Sequence, residues 1–257
     1  MQIQEIVINV KTYMNELFSE SHRLQTFHKP DDYQQFFTDS GVDVALTNNK
    51  EIILQEETVL ELGGHHKKSY SLVISLPDQT SLTDGNVTMV GPTIRELREQ
   101  QIAKVDFGLL VFLQIEENAN LQHKDFKYFN FIGDGIEGFL IRTIPRRFWC
   151  RISSHIIKNF SFELLGHAIN HLYREKFPNQ FKAIEVVMVN SLPNVVEKLK
   201  EITSSFLEKE REQWKSKVQK WKEKVGCNYD WGCSICPDRA ECYDIKKVLL
   251  ERESLQE

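Results

Sequence analysis

The sequence predicts an α+β protein of mixed α/β character, in which mixed sheets are covered by helices. Short runs rich in β-branched residues, such as YSLVISL and NVTMVGP, are typical of strands bounded by turn residues. The run FGLLVFLQI is continuously apolar and of strand length, which indicates a strand buried on both faces. In the second half of the chain, strand-like runs interleave with helical periodicity.

The first half of the sequence predicts mainly strands, which follow a partly helical N-terminal segment, the lead-in. Residues 42–62 indicate strands on either side of a turn at Asn48-Asn49, and Gly63-Gly64 ends the second of them. We expect residues 1–57 to form an N-terminal lead-in of unknown role and residues 58–192 to form the central domain. Residues 193–257 are expected to form a long helix and a metal-binding tail.

The second half contains the clearest helices. HKDFKYFNFIGDGIEG has helical spacing that ends in glycines, and FLIRTI, RFWCRIS and AIEVVMVNS are strand-like. SFELLGHAINHLYREKF is an amphipathic helix that Ser161 can cap. His167 and His171 on that helix are expected to be boundary residues that hydrogen-bond locally. A long helix is predicted from Pro193 to about Val225.

Composition narrows the possible partners and the compartment. The 257 residues carry a net charge of −5, which favours neither nucleic acid nor an anionic membrane as a partner. No apolar run approaches the roughly 20 residues that span a bilayer, and the N-terminus lacks the pattern of a signal peptide. We therefore expect a cytoplasmic location, where clustered cysteines indicate a metal or redox role.

Four of the five cysteines fall in the spacing C-x5-C-x2-C-x5-C: Cys227, Cys233, Cys236 and Cys242. Four soft thiolates suit a 4Fe–4S cluster or Zn²⁺. The single short pair favours iron–sulfur, because zinc sites usually combine two short pairs, and metal-free thiols are a third possibility. Cys150 lies in an apolar strand and is expected to be a small buried hydrophobe.

Several stretches resemble the beta subunit of the carbon monoxide dehydrogenase/acetyl-CoA synthase complex. They occur in that family's order over roughly residues 58 to 242. The stretches are LELGG, DGNVTMVGPTI, FGLLVFLQI, GDGIEGFLIRTIPRRFWCRIS, LGHAINHLYREKFPNQFKAIEVVMV and GCSIC. The resemblance implies an acetyl-CoA synthase-like fold, with Cys233 and Cys236 as the first two cluster ligands and Cys242 as the third. The family's fourth ligand has no counterpart, and Cys227 is proposed in its place.

The resemblance also limits the expected activity. The family's distal nickel is held by a C-G-C element, and these 257 residues contain none. We therefore expect an iron–sulfur protein with an accessory, electron-transfer or partner-docking role in anaerobic one-carbon or corrinoid metabolism. Its partner would be a corrinoid protein or another subunit of that metabolism. The alternatives are a zinc-stapled interaction module, or an enzyme with chemistry at an open cluster iron or an added metal.

Basic and aromatic residues near the RFWCRIS strand resemble the region where the family binds coenzyme A. In an alternating strand Arg147, Trp149 and Arg151 share one face. Arginine suits phosphate and tryptophan can stack on adenine. The alternative is that Trp149 belongs to the core and the arginines form a solvated edge. The candidate residues are Arg142, Arg146, Arg147, Trp149 and Arg151.

Overall fold

The structure is a computed structural model that describes residues 3–19, 23–46, 52–76, 82–117, 119, 129–144, 146–224, 227 and 242. The chain divides into a larger compact unit, Met1–Ser204, and a second unit, Ser205–Glu257. The helices are α1 (Ile3–Ser19), α2 (Tyr33–Ser40), α3 (Ile94–Glu99), α4 (Asn130–Gly133), α5 (Phe162–Lys176) and α6 (Pro193–Lys224). The strands are β1 (Leu24–Phe27), β2 (Thr58–Gly63), β3 (Ser69–Leu76), β4 (Val87–Val90), β5 (Lys104–Val105), β6 (Phe107–Ile115), β7 (Phe139–Ile144), β8 (Arg147–Ser153) and β9 (Phe181–Asn190).

The larger unit is built on two mixed sheets, which confirms the predicted α+β class. The first sheet has five strands in the order β1-β4-β9-β6-β3, with β4/β9 and β3/β6 parallel and β1/β4 and β6/β9 antiparallel. The second has four strands in the order β5-β2-β8-β7, with β5/β2 parallel and the other pairs antiparallel. β1 comes from the lead-in, so the N-terminal residues supply an edge strand of the main sheet.

The central strands of the first sheet are apolar on both faces because both faces are covered. Phe107, Leu109, Val111 and Leu113 of β6 belong to one hydrophobic core, together with the apolar face of α5. Leu110 and Phe112 point to the opposite face and are also fully buried. The predicted two-sided burial of this strand is confirmed.

Helix α1 and the start of α6 cover that opposite face. Lys11 of α1 donates from Nζ to Glu185 Oε1 of β9 at 2.9 Å, and Glu185 is itself buried. Tyr70 of β3 and Thr203 of α6 share a buried hydroxyl–hydroxyl hydrogen bond of 2.5 Å. Both polar contacts satisfy groups that would otherwise be costly to bury.

The second sheet contributes its inner face to the core and leaves its outer face polar. Phe148, Cys150 and Ile152 of β8 are buried in the core, whereas Arg147 is exposed and Trp149 and Arg151 are half-buried. This is the alternation that the sequence predicts for the strand. It also confirms Cys150 as a small buried hydrophobe, and burial raises the pKa of its thiol well above the ordinary value.

The two sheets are joined through the backbone of Phe148. Its N–H donates to Ser69 Oγ of β3 at 2.7 Å, and its carbonyl accepts from Ser69 Oγ and, at 3.0 Å, from the Gly64 N–H. The Phe148 ring packs against Phe107 of β6 with ring centroids 5.1 Å apart. One residue therefore fixes β8 both to the first sheet and to the end of β2.

Three predicted elements differ from the structure. The strand expected over residues 42–46 is only an isolated bridge between Val44 and Ile136, and the turn expected at Asn48-Asn49 lies outside the described residues. Residues 52–57 were expected to belong to a strand but form a turn, because Leu54 N–H donates to Glu57 Oε2 at 2.8 Å and Leu54 O accepts from Thr58 Oγ1 at 2.8 Å. Such local side-chain bonds compete with strand pairing. The helix expected over 123–138 is described only as the single turn α4, and residues 121–128 lie outside the described residues.

The main predicted helices are confirmed. Ser161 Oγ accepts from the Leu164 N–H at 3.0 Å and caps α5, and α6 begins at the predicted Pro193. Within the part of the chain that the structure describes, no helix is both long and apolar enough to cross a membrane.

Gly166 lets α5 approach β4 closely. A Cβ at this position would lie 2.3 Å from Val87 Cγ1, inside any possible contact distance. We expect Gly166→Ala to lower the free energy of unfolding by about 1–3 kcal/mol through overpacking, despite alanine's better helix propensity. Urea denaturation measures the effect, with the exposed Lys176→Ala as a control that should change it by less than about 0.5 kcal/mol. A Gly166→Ala variant as stable as the parent would contradict the packing.

Candidate functional site

The outer face of the second sheet brings together most of the predicted ligand residues. Arg142 of β7 lies directly opposite Trp149 of β8, and Arg151 follows two residues later on the same face. The Arg151 Cζ lies 4.8 Å from the centroid of the Trp149 ring, and the Arg142 Cζ lies 5.5 Å from it. Both distances are within the range of cation–π attraction. The structure therefore groups Arg142, Trp149 and Arg151 into one cluster.

The Trp149 side chain lies above the end of β2. Gly63 pairs with Trp149 across the strands, and a Cβ on Gly64 would lie 2.9 Å from Trp149 Cδ1. Because these two positions carry no side chain, the indole can rest close to the backbone. Its Nε1 donates to Glu61 Oε1 at 2.9 Å. Trp149 is thus half-buried and hydrogen-bonded, neither a core residue nor a loose surface ring.

Arg142 and Arg151 differ in how firmly their guanidinium groups are held. Arg151 is half-buried and donates from Nη1 to the Ile53 carbonyl at 3.2 Å, so it is tied to the turn before β2. Arg142 is exposed, and its guanidinium can leave the indole without breaking a buried contact. Arg142 is therefore held less firmly than Arg151.

A cavity of about 660 Å³ opens beside Trp149. Arg142, Arg147 and His65 line it together with the polar Asn130 and Asp134, and Ile52, Leu140 and Trp149 provide apolar surface. Cavities of roughly 300–1,000 Å³ with a few convergent polar groups are typical of small-molecule sites. The lining suits an anionic ligand that also carries an aromatic or apolar part.

Arg146 does not share this position. Its backbone is left-handed, with φ of 64°, and its carbonyl accepts a hydrogen bond from the Ser71 N–H at 3.4 Å. Arg146 is not among the residues that line the cavity. Arg146 lies in the turn between β7 and β8, whereas the other four candidates lie on the outer face of the second sheet.

Glu61, Gly64 and His65 are site residues that sequence reasoning missed. A pattern was available for Glu61, since it is the polar residue between Leu60 and Leu62 in a strand and must therefore face away from the core. Which strand would lie beside β8 was not deducible, because pairing between distant strands has no local signal. His65 lies at the start of HHKK, with its ring 6.2 Å from the Trp149 ring.

The candidate metal centre is described in part. Cys233 and Cys236 lie outside the described residues. Cys227 follows α6, and its N–H donates to the Lys222 carbonyl at 2.8 Å. Cys242 Sγ accepts a hydrogen bond from Trp221 Nε1 at 3.2 Å, and both described cysteines are partly exposed. An N–H bond to sulfur is a feature that ligating thiolates share, and among the described cysteines it is recorded for Cys242.

The histidines of α5 lie in an aromatic cluster with α2. His167 is 1% exposed, and its ring meets Phe36 edge-on with centroids 5.0 Å apart. Its Nδ1 is buried and has no hydrogen-bond partner among the described residues. The expectation that His167 lies at a boundary is wrong, because the residue is fully buried. His171 lies one turn on, with Nε2 3.8 Å from Glu175 Oε2. The pair serves packing and shows no sign of a shared metal within the described residues.

Residues 41–195 match the family model described as CO dehydrogenase/acetyl-CoA synthase complex beta subunit. The acetyl-CoA decarbonylase/synthase complex subunit beta of Methanopyrus kandleri is 27% identical over 207 residues, which is 77% of this chain and 41% of that protein. The same subunit of Methanothermobacter thermautotrophicus is 27% identical over 206 residues, 78% of this chain and 41% of that protein.

The fold and the site define an α+β protein whose second sheet presents an arginine–tryptophan face beside a cavity. With more than half of its residues matched, the chain belongs to the CO dehydrogenase/acetyl-CoA synthase complex beta subunit family, as the sequence resemblance indicated. The aligned part of the chain spans 41% of the length of the two relatives. The matched residues 41–195 include the whole second sheet and end before Cys227.

The buried histidine makes stability depend on pH. Burial lowers the pKa of His167 to about 4 and also lowers the pKa of His171, whose shift the Glu175 carboxylate opposes. In the unfolded chain both groups titrate near ~6.5. Between these values the unfolded chain binds more protons, so the free energy of unfolding should fall as pH decreases from about 7 to about 4.

We expect His167→Gln to flatten this pH dependence by an amount on the order of a few kcal/mol between the two ends of the range. Chemical denaturation at several pH values measures it, and the exposed His66→Gln variant controls for the loss of a histidine elsewhere. A slope identical to that of the parent would show that His167 does not fold in its neutral form.

Proposed function

We propose that this chain is a coenzyme A-binding, iron–sulfur relative of the acetyl-CoA synthase subunit with an accessory role in anaerobic one-carbon or corrinoid metabolism. Coenzyme A would occupy the cavity beside Trp149, and the C-terminal cysteines would hold a 4Fe–4S cluster. The observation that carries the proposal is the placement of Arg142, Arg147 and Trp149 around one cavity.

The cavity matches the chemistry of coenzyme A in two ways. Its phosphates need fixed cations, and arginine donates paired hydrogen bonds from a planar fork. Its adenine needs a flat ring, and the Trp149 indole lines the cavity with the exposed Arg142 guanidinium 5.5 Å from the ring centroid. When Arg142 turns to a phosphate, the ring surface that it covers becomes available for the base.

Local charge also favours such a ligand. The chain as a whole has a net charge of −5, which repels anions at long range. On the outer face of the second sheet, however, Arg142, Arg147 and Arg151 share one side of two paired strands. A local positive field inside a cleft attracts anions in spite of the net charge.

Arg147→Gln tests the ligand. Arg147 is exposed, so the fold should be unaffected, while loss of a charge-assisted hydrogen bond worth about 1.5–3 kcal/mol should weaken coenzyme A binding about tenfold or more. Isothermal titration calorimetry measures the affinity. The matched control is Arg95→Gln, which removes an exposed arginine of α3 that pairs with Glu99 at 2.9 Å.

Two results would contradict this ligand. One is the absence of measurable binding of coenzyme A to the parent protein. The other is an equal effect of Arg147→Gln and Arg95→Gln, since a general loss of positive charge would then explain both. Comparison of coenzyme A with dephospho-coenzyme A in the same titrations tells whether the 3′-phosphate is recognised.

The cluster is assigned to Cys227, Cys233, Cys236 and Cys242 in the second unit. When bound there, a 4Fe–4S group would supply one-electron transfer. Among the described residues, the Trp221 N–H donates to Cys242 Sγ and would help to orient that sulfur towards the cluster.

Metal analysis after anaerobic purification tests the cluster. We expect about four irons and about four acid-labile sulfides per chain, and Cys233→Ala should remove most of both. Cys150→Ala is the control, because Cys150 is buried in the core of the larger unit and should leave the iron content unchanged. One Zn²⁺ per chain and no sulfide would instead support the zinc-stapled interaction module.

The accessory role is proposed from the relatives. Both relatives are named as subunits of a decarbonylase/synthase complex. We propose that this chain likewise docks with a partner, a corrinoid protein or another one-carbon subunit, and exchanges electrons with it. Co-purification from the native host under anaerobic conditions would identify that partner.

A further inference from the structure

We infer that Glu61 is a positioning residue that holds the Trp149 indole in the orientation in which its cavity-side face can stack on a nucleotide base. The inference rests on the proposed coenzyme A site. Glu61 touches no part of the cavity itself and is not among its lining residues. Its contribution would come entirely through the indole.

The strand pairing places Glu61 diagonally beside the ring. On β2, Gly63 pairs with Trp149 and Glu61 pairs with Arg151. The residue directly opposite the tryptophan thus has no side chain, and the nearest side chain on that strand is the Glu61 carboxylate. The carboxylate is therefore the group on β2 that is able to determine where the indole lies.

Both oxygens of the carboxylate have partners. Oε1 accepts from Trp149 Nε1 at 2.9 Å, and Oε2 lies 3.5 Å from Lys104 Nζ. Lys104 compensates the charge of a residue that is only 8% exposed, which makes its burial acceptable. A hydrogen bond to an ionised acceptor is about twice as strong as a neutral one, so the indole has a strong preference for this position.

The space around the ring shows why a tether is needed. A Cβ on Gly64 would lie 2.9 Å from Trp149 Cδ1 and 3.1 Å from Glu61 Oε1, so ring and carboxylate share the room that the glycine leaves. The other groups near the ring hold it less directly: the Arg151 and Arg142 Cζ atoms lie 4.8 and 5.5 Å from its centroid, and the His65 ring lies 6.2 Å from it. Without the bond to Glu61, the indole can turn into the cavity and occupy the place of a base.

The test compares Glu61→Gln and Glu61→Leu, each alone and in a Trp149→Phe background. Glutamine keeps an acceptor of the same shape, whereas leucine keeps the volume and removes the acceptor. Glu99→Gln, an exposed carboxylate on α3, is the matched control. The measurements are the affinity for coenzyme A and the solvent exchange of the Trp149 indole N–H by nuclear magnetic resonance, with the signal assigned by its loss in Trp149→Phe.

We expect Glu61→Leu to weaken coenzyme A binding about tenfold and Glu61→Gln to weaken it less than about threefold. In the Trp149→Phe background, Glu61→Leu should change the affinity by less than about twofold, because the residue it positions is gone. The indole N–H should exchange slowly in the parent and in Glu61→Gln, and rapidly in Glu61→Leu.

Three results would overturn the inference. An equal loss of affinity with and without Trp149 would mean that Glu61 acts on the ligand or the fold directly. An indole N–H that stays protected in Glu61→Leu would mean that the ring does not depend on Glu61. If the parent fails to bind coenzyme A while the indole N–H still depends on Glu61, the proposed function fails and the bond is purely structural.

Discussion

The site depends on one constraint, the inward burial of Phe148. Its ring packs on Phe107 in the core, and its backbone bonds to Ser69 and Gly64 join β8 to the first sheet and to the end of β2. Because side chains alternate along a strand, an inward Phe148 forces Arg147 and Trp149 outward. The core therefore determines which side chains lie on the outer face of the second sheet, the candidate ligand face, and Phe148 itself also lines the cavity.

The polar side chains of that face are of two kinds: some are held by contacts within the protein, and others are exposed. Arg151 and Glu61 are committed to contacts within the protein, to the Ile53 carbonyl and to the Trp149 N–H respectively. Arg142 and Arg147 are exposed and carry their charge without a strong internal partner holding it in place. A binding site needs both kinds of residue: the first keep the indole in position, and the second supply the cations that an anion can approach at little cost in broken contacts.

Much of this could be predicted from the sequence because the signals are local. The two-sided burial of β6, the cap at Ser161 and the alternation of RFWCRIS each follow from a few neighbouring residues. The turn at 52–57 was missed because the apolar Ile52 and Ile53 are typical of a strand. The side chains of Glu57 and Thr58 instead hydrogen-bond to the backbone of Leu54. Glu61 and His65 were missed because their importance comes from strand pairing with β8, which a single sequence does not encode locally. His167 was placed at a boundary, yet the packing of α2 on α5 buries it.

One of the two candidate sites lies inside the range that matches the family model, and the other lies outside it. All the side chains of the ligand face lie between residues 52 and 151, inside the range 41–195 that matches the family, whereas the four cysteines lie beyond it. Each site also takes its residues from one compact unit, the ligand face from residues 1–204 and the cysteines from 205–257. Contacts that hold the indole therefore share no residue with contacts that hold the sulfurs. A substitution at one candidate site therefore leaves every residue of the other in place, and the matched family range contains the residues of the first site alone.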